Sequence, residues 1–295
     1  MLCSDIRPEN RYSPQGAGVR GPVRSIAVTS GSEGLGKTSI AVNLALGLAR
    51  DGAHVMLLDA GSGISNVCVH LGLKVRSGLL NVLRGETSLE EIIITGPGNL
   101  LVVPAASGLR HPAELGRAEC AAIVRAFSEL GHHIDTLVID TASGISASTA
   151  SFCAASSDVL VVAGNGEHSL SDGISLIKLL HSNYAVARFH ILANRVQDAR
   201  EGAGLFNRIL DQFAERHEVL VSYAGFVPCD DALGLAVLSQ QAVVEAFPRS
   251  RSAMALKNLA RRADGWPRQY FPRGHLEFFI ERLIQQNNVE MEVLS

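Results

Sequence analysis

The chain has 295 residues and a formal net charge of −3, from 26 Lys and Arg against 29 Asp and Glu. This mildly acidic balance gives no general attraction to nucleic acid or anionic lipid, so it excludes proteins that depend on a broadly basic surface. With 47% hydrophobic and 19% charged residues the chain can bury a large core, yet no apolar run is long enough to span a bilayer. Because the N-terminus also lacks a signal-peptide pattern, we expect a cytoplasmic protein.

Residues 1–22 are predicted to form a flexible N-terminal tail. They contain Pro8, Pro14 and Pro22 with three glycines and almost no periodic apolar residues. Strand and helix patterns alternate after this tail, and we assign 23–268 to one nucleotide-binding domain. Residues 269–295 are assigned to a C-terminal helix and tail.

Seven short runs rich in Val, Ile and Leu lack the alternation of half-exposed strands, so they are predicted as strands covered on both faces. These runs are Ser25–Thr29, His54–Asp59, Asn99–Pro104, Thr136–Asp140, Val159–Gly164, Phe189–Asn194 and Val221–Val227. The predicted helices are Thr38–Arg50, Ala113–Leu130, Ser169–His181, Gly202–Arg216 and Ser250–Ala263. Strands that alternate with helices predict an α/β fold with a mostly parallel, twisted sheet flanked by helices.

The loop between the first strand and the first helix carries the pattern G-x-x-x-x-G-K-[ST], here Gly31, Gly36, Lys37 and Thr38. The backbone N–H groups of residues 34–36 are expected to form a concave nest at the positive end of the helix dipole. Lys37 is expected to reach the β- and γ-phosphates, and the Thr38 hydroxyl to coordinate Mg²⁺. The sequence therefore predicts a nucleoside triphosphate site.

Polar side chains follow four other predicted strands, at the edge where a parallel sheet binds ligands. Asp140 ends an apolar strand and is predicted to hold Mg²⁺ through water, while Asp59 ends a second such strand. Asn194 is placed to contact an adenine edge with its amide. The loop that contains Pro228 and Asp230 is placed to close over the base.

The last segment carries apolar residues on one helical face: Leu276, Phe279, Ile280, Leu283 and Ile284. A membrane-surface helix needs a basic polar face, whereas this one offers Glu277, Glu281 and Arg282. The pattern therefore favours a helix docked on its own domain or on a partner.

Five cysteines are scattered through the chain with no Cys-x-x-Cys pair, which is typical of reduced thiols in the cytoplasm. They are Cys3, Cys68, Cys120, Cys153 and Cys229. The ten histidines lack the spacing of metal ligands, and His132-His133 is interpreted as a polar helix end before a strand. The sequence thus indicates no metal cluster.

Segments through nearly the whole chain resemble the MinD/ParA class of P-loop ATPases, and in particular its FleN (FlhG) branch of flagellar-number regulators. Ser30 to Thr38 followed by Val42-Asn43-Leu44-Ala45 is similar to the deviant Walker A segment of the class. The other matching blocks are 56–60, 103–108, 139–142, 176–180, 245–250 and 272–279. The last two blocks have no role in binding phosphate, so they identify the branch more specifically than the loop does.

The resemblance implies a three-layer P-loop NTPase fold and an ATP-dependent dimer in which two protomers sandwich two nucleotides. Lys37 and Asp59 are the candidates for a contribution to catalysis. Nucleotide contacts are implied for Gly31, Gly34, Leu35, Gly36, Lys37, Thr38, Asn194, Pro228 and Asp230, and Mg²⁺ contacts for Thr38 and Asp140.

The resemblance also implies partners beyond ATP, ADP and Mg²⁺. Regulators of this branch restrain the σ54-dependent flagellar activator and work with a signal-recognition-like GTPase at the pole. Gln15 and Arg20, with Val19 for Leu, match the spacing of the family's GTPase-stimulating motif. We expect a nucleotide-dependent homodimer, or a heterodimer with an intact paralogue. A polar or peripherally membrane-associated location also fits, without direct nucleic acid binding or a stable membrane anchor.

Departures from the family pattern affect hydrolysis more than binding. The signature lysine that reaches the partner's phosphates is Ser32, and the switch aspartate that orients water is Gly61. A further loop, Glu-Pro-Thr-Ser in the family, is Gly166-Glu167-His168-Ser169. A trans-acting cation is worth roughly 10³ to 10⁵ in rate. We therefore expect weak or absent ATP hydrolysis.

A carboxylate at Glu33 replaces a family glycine. At about 4 Å from phosphate and an effective dielectric of about 20, its repulsion would cost roughly 4 kcal/mol. Rotation into solvent would reduce that cost sharply, and the sequence leaves both arrangements open.

Two other classes of function compete with a regulatory switch. An iron–sulfur or metabolic P-loop enzyme would need paired cysteines or a polar substrate pocket, and the cysteines are scattered. A MinD/ParA-like ATPase for positioning cargo or partitioning DNA would need a basic DNA surface. Only a local cluster meets that need, formed by Arg249, Arg251, Arg261 and Arg262.

Overall fold

A computed structural model describes residues 23–61, 66–104, 117–130, 133–214, 218–267 and 280–284. The predicted tail 1–22, the start of the predicted helix Ala113–Leu130 and most of 269–295 lie outside these ranges. Within them, no helix is both long and apolar enough to cross a membrane.

The described part of the chain forms one sheet of eight strands. These are β1 Arg24–Thr29, β2 Val55–Ala60, β3 Ile94–Thr95, β4 Leu101–Val103, β5 Thr136–Thr141, β6 Asp158–Ala163, β7 Arg188–Val196 and β8 Leu220–Pro228. Their order is β3-β4-β2-β5-β1-β6-β7-β8, and every neighbouring pair is parallel except β3 with β4. The predicted mostly parallel sheet is confirmed, with the two-residue β3 as an addition.

Helices cover both faces of this sheet. They are α1 Lys37–Arg50, α2 Asn66–His70, α3 Leu79–Leu83, α4 Leu89–Ile92, α5 Arg117–Ser128, α6 Ala147–Ala155, α7 Glu167–Tyr184, α8 Ala199–Leu210, α9 Asp231–Leu238, α10 Val243–Ala246 and α11 Arg251–Asp264. Two short 3₁₀ turns occur within the described ranges, at Pro97–Asn99 and Asp211–Phe213. The layers are therefore helix, sheet and helix.

Alternation of side chains along the buried strands divides the core into layers. Ile26 and Val28 of β1 pack with α1 and α11, whereas Ala27 packs on the opposite face with α7 and α8. A Cβ on Gly47 would lie 2.6 Å from the Cβ of Ala260, so glycine lets α1 and α11 approach closely. A third cluster lies around β2 and β5 and includes Ile280 and Leu283. The described part of the C-terminal segment thus packs on its own domain.

The parallel strands place their carboxyl ends along a single edge of the sheet. Asp59 of β2 pairs in register with Asp140 of β5, and Val28 of β1 pairs with Asp140 from the other side. Asn194 of β7 pairs with Val227 near the end of β8. The candidate site is built at this edge.

Candidate nucleotide-binding site

The loop between β1 and α1 owes its shape to its glycines. Gly34 has φ 72° and Gly36 has φ 80°, both in the left-handed region that favours glycine. A Cβ on Gly31 would lie 2.2 Å from the carbonyl carbon of Asp172, so the loop passes directly against the backbone of α7. Such a left-handed turn before a helix points backbone N–H groups at a common concavity, as an anion site requires.

Lys37 begins α1 and is buried, with 8% of its surface exposed. Its Nζ donates a hydrogen bond to Oγ of Ser143, which follows β5. Burial lowers the pKa of Lys37, while the carboxylates of Asp140 and Glu33 oppose that shift. A partly desolvated ammonium group that faces a cleft is suited to bind a phosphate.

Thr38 and Asp140 form the part of the site that fits a divalent cation. Thr38 Oγ1 donates to Asp140 Oδ2 at 2.7 Å. Burial raises the pKa of Asp140 to about 7, a shift that the Thr38 hydrogen bond opposes and the nearby Asp59 reinforces. Asp140 Oδ1 is buried without a hydrogen-bond partner among the described residues. Mg²⁺ prefers such oxygen ligands and would keep this carboxyl ionised, so the residues present fit the ion.

Asp59 holds the backbone that follows β2. Its Oδ1 accepts the N–H of Gly61 at 3.1 Å, and its Oδ2 accepts the N–H of Val67 at 3.2 Å. Only 1% of its surface is exposed. These bonds give Asp59 a positioning role for the loop and α2, and its contribution to catalysis stays a prediction.

Asn194 and Asp230, the two polar residues predicted to lie near the nucleotide base, differ in their hydrogen bonding. Asn194 Nδ2 donates to the carbonyl of Leu35 at 2.7 Å, while its Oδ1 is buried without a hydrogen-bond partner in the described ranges. That oxygen is suited to accept from a ligand amino group. Asp230 instead accepts from Ala232 N–H at 3.0 Å and from both N–H and Oγ of Ser252 at 2.8 Å. Its carboxylate ties α9 to α11, so a base contact from it stays a prediction.

These residues converge on one cleft of about 1320 Å³. Its lining includes most of the predicted set: Gly34, Gly36, Lys37, Thr38, Asp140, Asn194, Pro228 and Asp230. Gly31, Leu35 and Asp59 are not among the lining residues: Gly31 packs against α7, the Leu35 carbonyl accepts from Asn194, and Asp59 accepts from the backbone after β2. The sequence prediction missed other lining residues, among them Ser39, Asn66, His70 and Arg195 and, on α9, Leu235 and Leu238. Arg195 has φ 59° at a bulge of β7, and only its position after Asn194 could have indicated it.

The two unusual residues of the loop, Ser32 and Glu33, lie at the margin of this binding set. Ser32 Oγ donates to Oδ2 of Asp172 on α7 at 2.6 Å, within the same chain. The Ser32 carbonyl accepts from Oγ of Ser30 at 2.6 Å. Glu33 is exposed at the cleft rim. The Glu33 carboxylate is therefore open to solvent, as the solvated arrangement requires.

Comparison with known proteins identifies the family. The AAA domain family matches residues 23–188. Antiactivator FleN of Pseudomonas aeruginosa is 44% identical over 267 residues, which cover 90% of this chain and 94% of FleN. Flagellum site-determining protein YlxH of Helicobacter pylori is 33% identical over 192 residues, 64% of each chain.

A solved structure agrees with the fold. The septum site-determining protein MinD of Pyrococcus horikoshii, complexed with Mg-ADP, superposes with a TM-score of 0.65 at 21% identity, covering 82% of this chain and 96% of that one. Sequence and fold comparisons therefore agree: the chain belongs to the MinD/ParA class of P-loop ATPases and is closely related to the antiactivator FleN.

Proposed function

We propose that this chain is an ATP-binding regulatory switch of the FleN (FlhG) type that controls flagellar number or biosynthesis and hydrolyses ATP weakly or not at all. The observation that carries the proposal is the 44% identity to an antiactivator over 90% of the chain. The relative from Helicobacter pylori, named for determining the flagellum site, supports the same assignment.

Nucleotide binding is supported by the retained half of the site. The N–H groups of the loop and the Lys37 ammonium group are suited to hold the phosphates. Thr38 and Asp140 would hold Mg²⁺, which supplies charge neutralisation between the phosphates when bound. The Mg-ADP complex of the MinD relative supports this assignment of cofactors.

Weak hydrolysis is supported by what surrounds the γ-phosphate position. Ser32 offers a neutral hydroxyl where the family has a lysine, and that hydroxyl already donates to Asp172. Gly61 offers only a backbone N–H, which Asp59 accepts. Because both groups that would stabilise the transition state are missing, ATP would be bound without being turned over rapidly.

A nucleotide-dependent dimer is supported by the exposed face of α9 beside the cleft. Leu235 is 52% exposed and Leu238 is 82% exposed, and both line the cleft. Two apolar side chains on one short helix favour contact with another protein surface. We propose that α9 contacts the second protomer, in a homodimer or in a heterodimer with an intact paralogue.

The dimer proposal is tested by Leu238→Glu. We expect the variant to fold and bind ATP normally, because the side chain is exposed, but to lose the ATP-dependent increase in mass measured by light scattering. Met254→Glu is the matched control, since Met254 is 46% exposed on α11. An ATP-dependent mass increase that survives in Leu238→Glu would remove α9 from the interface.

The regulatory function is tested with the two partners that the family implies. Immobilised protein is exposed to the σ54-dependent flagellar activator and to the signal-recognition-like GTPase of the source organism, with ATP or with ADP. We expect ATP-dependent capture of at least one of them, and altered flagellar counts by electron microscopy after gene deletion. Normal counts together with capture of neither partner would contradict the proposal and favour a cargo-positioning ATPase.

A further inference from the structure

A second cluster of ligand-type side chains lies at the opposite edge of the sheet from the nucleotide cleft. His54 immediately precedes β2, and His133 and Asp135 immediately precede β5. Val55 pairs in register with Thr136, so the starts of these parallel strands adjoin. The fold therefore brings together residues 81 positions apart, which local spacing in the sequence does not show.

The three side chains already converge on a common point. Asp135 Oδ2 lies 3.0 Å from His54 Nδ1, and Asp135 Oδ1 lies 2.9 Å from His133 Nε2. One ligand atom from each residue falls within 4.8 Å of the others. The two imidazole rings stand 5.3 Å apart at 65°. In a tetrahedral site with bonds of about 2.0–2.1 Å, ligand atoms are about 3.3 Å apart, so small side-chain rotations suffice.

Backbone hydrogen bonds hold two of these residues in place. The N–H of His54 donates to Asp135 Oδ2 at 2.8 Å. The carbonyl of His54 accepts from the N–H of Asp135 at 2.9 Å and from that of Thr136 at 3.2 Å. His54 and His133 are both exposed, so an ion can reach them from solvent. The cluster is thus partly pre-organised and accessible.

We propose that His54, His133 and Asp135 bind a divalent transition-metal ion of the Zn²⁺ class. Two imidazole nitrogens and one carboxylate oxygen, with a fourth position open to water, are a donor set that Zn²⁺ accepts. Mg²⁺ prefers oxygen ligands, so it is matched to Thr38 and Asp140 at the other edge instead. The two sites differ in ligand type and lie at opposite ends of β5.

A bound ion would link the segments that precede β2 and β5. Asp59 and Asp140 lie near the opposite ends of these two strands. Asp140 lies five positions after Asp135 along the strand, about 17 Å at 3.3 Å per residue. At that distance the ion makes no contact with nucleotide. Its expected effect is a ligand-dependent gain in stability, because it binds the folded arrangement and not the separated chain segments.

The test is a Zn²⁺ titration of the full chain, stripped with a chelator and kept in saturating Mg²⁺ so that oxygen sites are occupied. We expect one Zn²⁺ per chain by calorimetry and a rise in melting temperature. His54→Ala and His133→Ala should each weaken Zn²⁺ binding at least tenfold and abolish the thermal shift. Both side chains are exposed, so circular dichroism should show the folded state.

His168→Ala serves as the matched control, because His168 is an exposed histidine on α7 far from this cluster in sequence. It should bind Zn²⁺ as the unmodified chain does. Unchanged stoichiometry and affinity in His133→Ala, or no Zn²⁺ binding by the unmodified chain, would overturn the proposal and leave two histidine–carboxylate contacts.

Discussion

The two halves of the phosphate-binding loop face different surroundings. In the half that begins α1, Lys37 donates to Ser143 and Thr38 donates to Asp140. Both acceptors lie at the carboxyl end of β5 or just after it. In the preceding half, Ser32 is fastened to α7 and Glu33 is exposed. We infer that the half with Lys37 and Thr38 holds the nucleotide, whereas the half with Ser32 lacks the lysine that would speed its hydrolysis. A single motif can therefore preserve ground-state binding while losing transition-state stabilisation.

The largest expected effect comes from restoring both missing groups together, with Ser32→Lys in the loop and Gly61→Asp after β2. A cation at the γ-phosphate is worth roughly 10³ to 10⁵ in rate, so we expect phosphate release to rise at least about 100-fold. A Cβ at position 61 lies 3.2 Å from Asp59 Oδ1, so the loop must shift by a few tenths of an ångström. Steady-state phosphate release measures the gain.

Two controls decide whether that gain has the proposed origin. Ser32→Met with Gly61→Asp adds length at position 32 without charge and should remain slow. Lys37→Ala in the restored background should abolish the new activity. An unchanged rate in the restored variant would mean that something other than these two positions limits hydrolysis.

Removing the Lys37 ammonium group is expected to weaken ATP binding severely. Lys37→Ala should weaken ATP affinity about 100-fold, because charge-assisted hydrogen bonds to phosphate are lost from a partly desolvated site. Calorimetry with Mg-ATP measures the change, and Lys74→Ala, at an exposed position, is the control. Affinity within threefold of the unmodified chain would show that this half does not hold the phosphates.

A pH-dependent stability is expected from Asp140 in the nucleotide-free protein. Its pKa is raised to about 7 by burial, so the folded state binds the proton more tightly than the unfolded state. Its contribution to stability therefore falls as pH rises from about 4 to about 7, by up to about 1.4 kcal/mol per pH unit. Urea unfolding should show a weaker fall in Asp140→Asn, and identical pH profiles would contradict the assignment.

The smallest effect on ATP affinity is expected from substitution of Ser32, in the loop half that precedes Lys37 and Thr38. Ser32→Ala removes one exposed hydrogen bond to Asp172, so the free energy of unfolding should change by less than about 1 kcal/mol. ATP affinity should stay within about threefold in calorimetry, and Asp172→Ala should behave alike. A tenfold loss of affinity in Ser32→Ala would place Ser32 on the nucleotide and break the distinction between the halves.

Most of the fold could be predicted because buried parallel strands are continuous apolar runs. All seven predicted strands are found within two residues of their predicted ends. Three of the missed elements show no clear helix or strand periodicity in the sequence. Ile94–Thr95 is too short, Ala147–Ala155 is made of small residues buried on most sides, and Asp231–Leu238 is apolar almost throughout.

The site could be predicted where a local motif specifies both identity and position. The loop pattern and the strand ending in Asp140 led to the observed contact with Thr38. Contacts between distant segments were not predictable, such as Ser32 with Asp172, 140 residues apart, and Asp230 with Ser252. Such pairs depend on how helices dock on the sheet, which residue identity alone does not specify.

The proposed switch binds ATP without hydrolysing it at a useful rate. Its most direct test is a titration of the full chain with Mg-ATP, following molecular mass by light scattering and phosphate release in the same sample. We expect saturable, Lys37-dependent binding with phosphate release close to the buffer background. Lys37-dependent hydrolysis at the pace of an intact family member would contradict it.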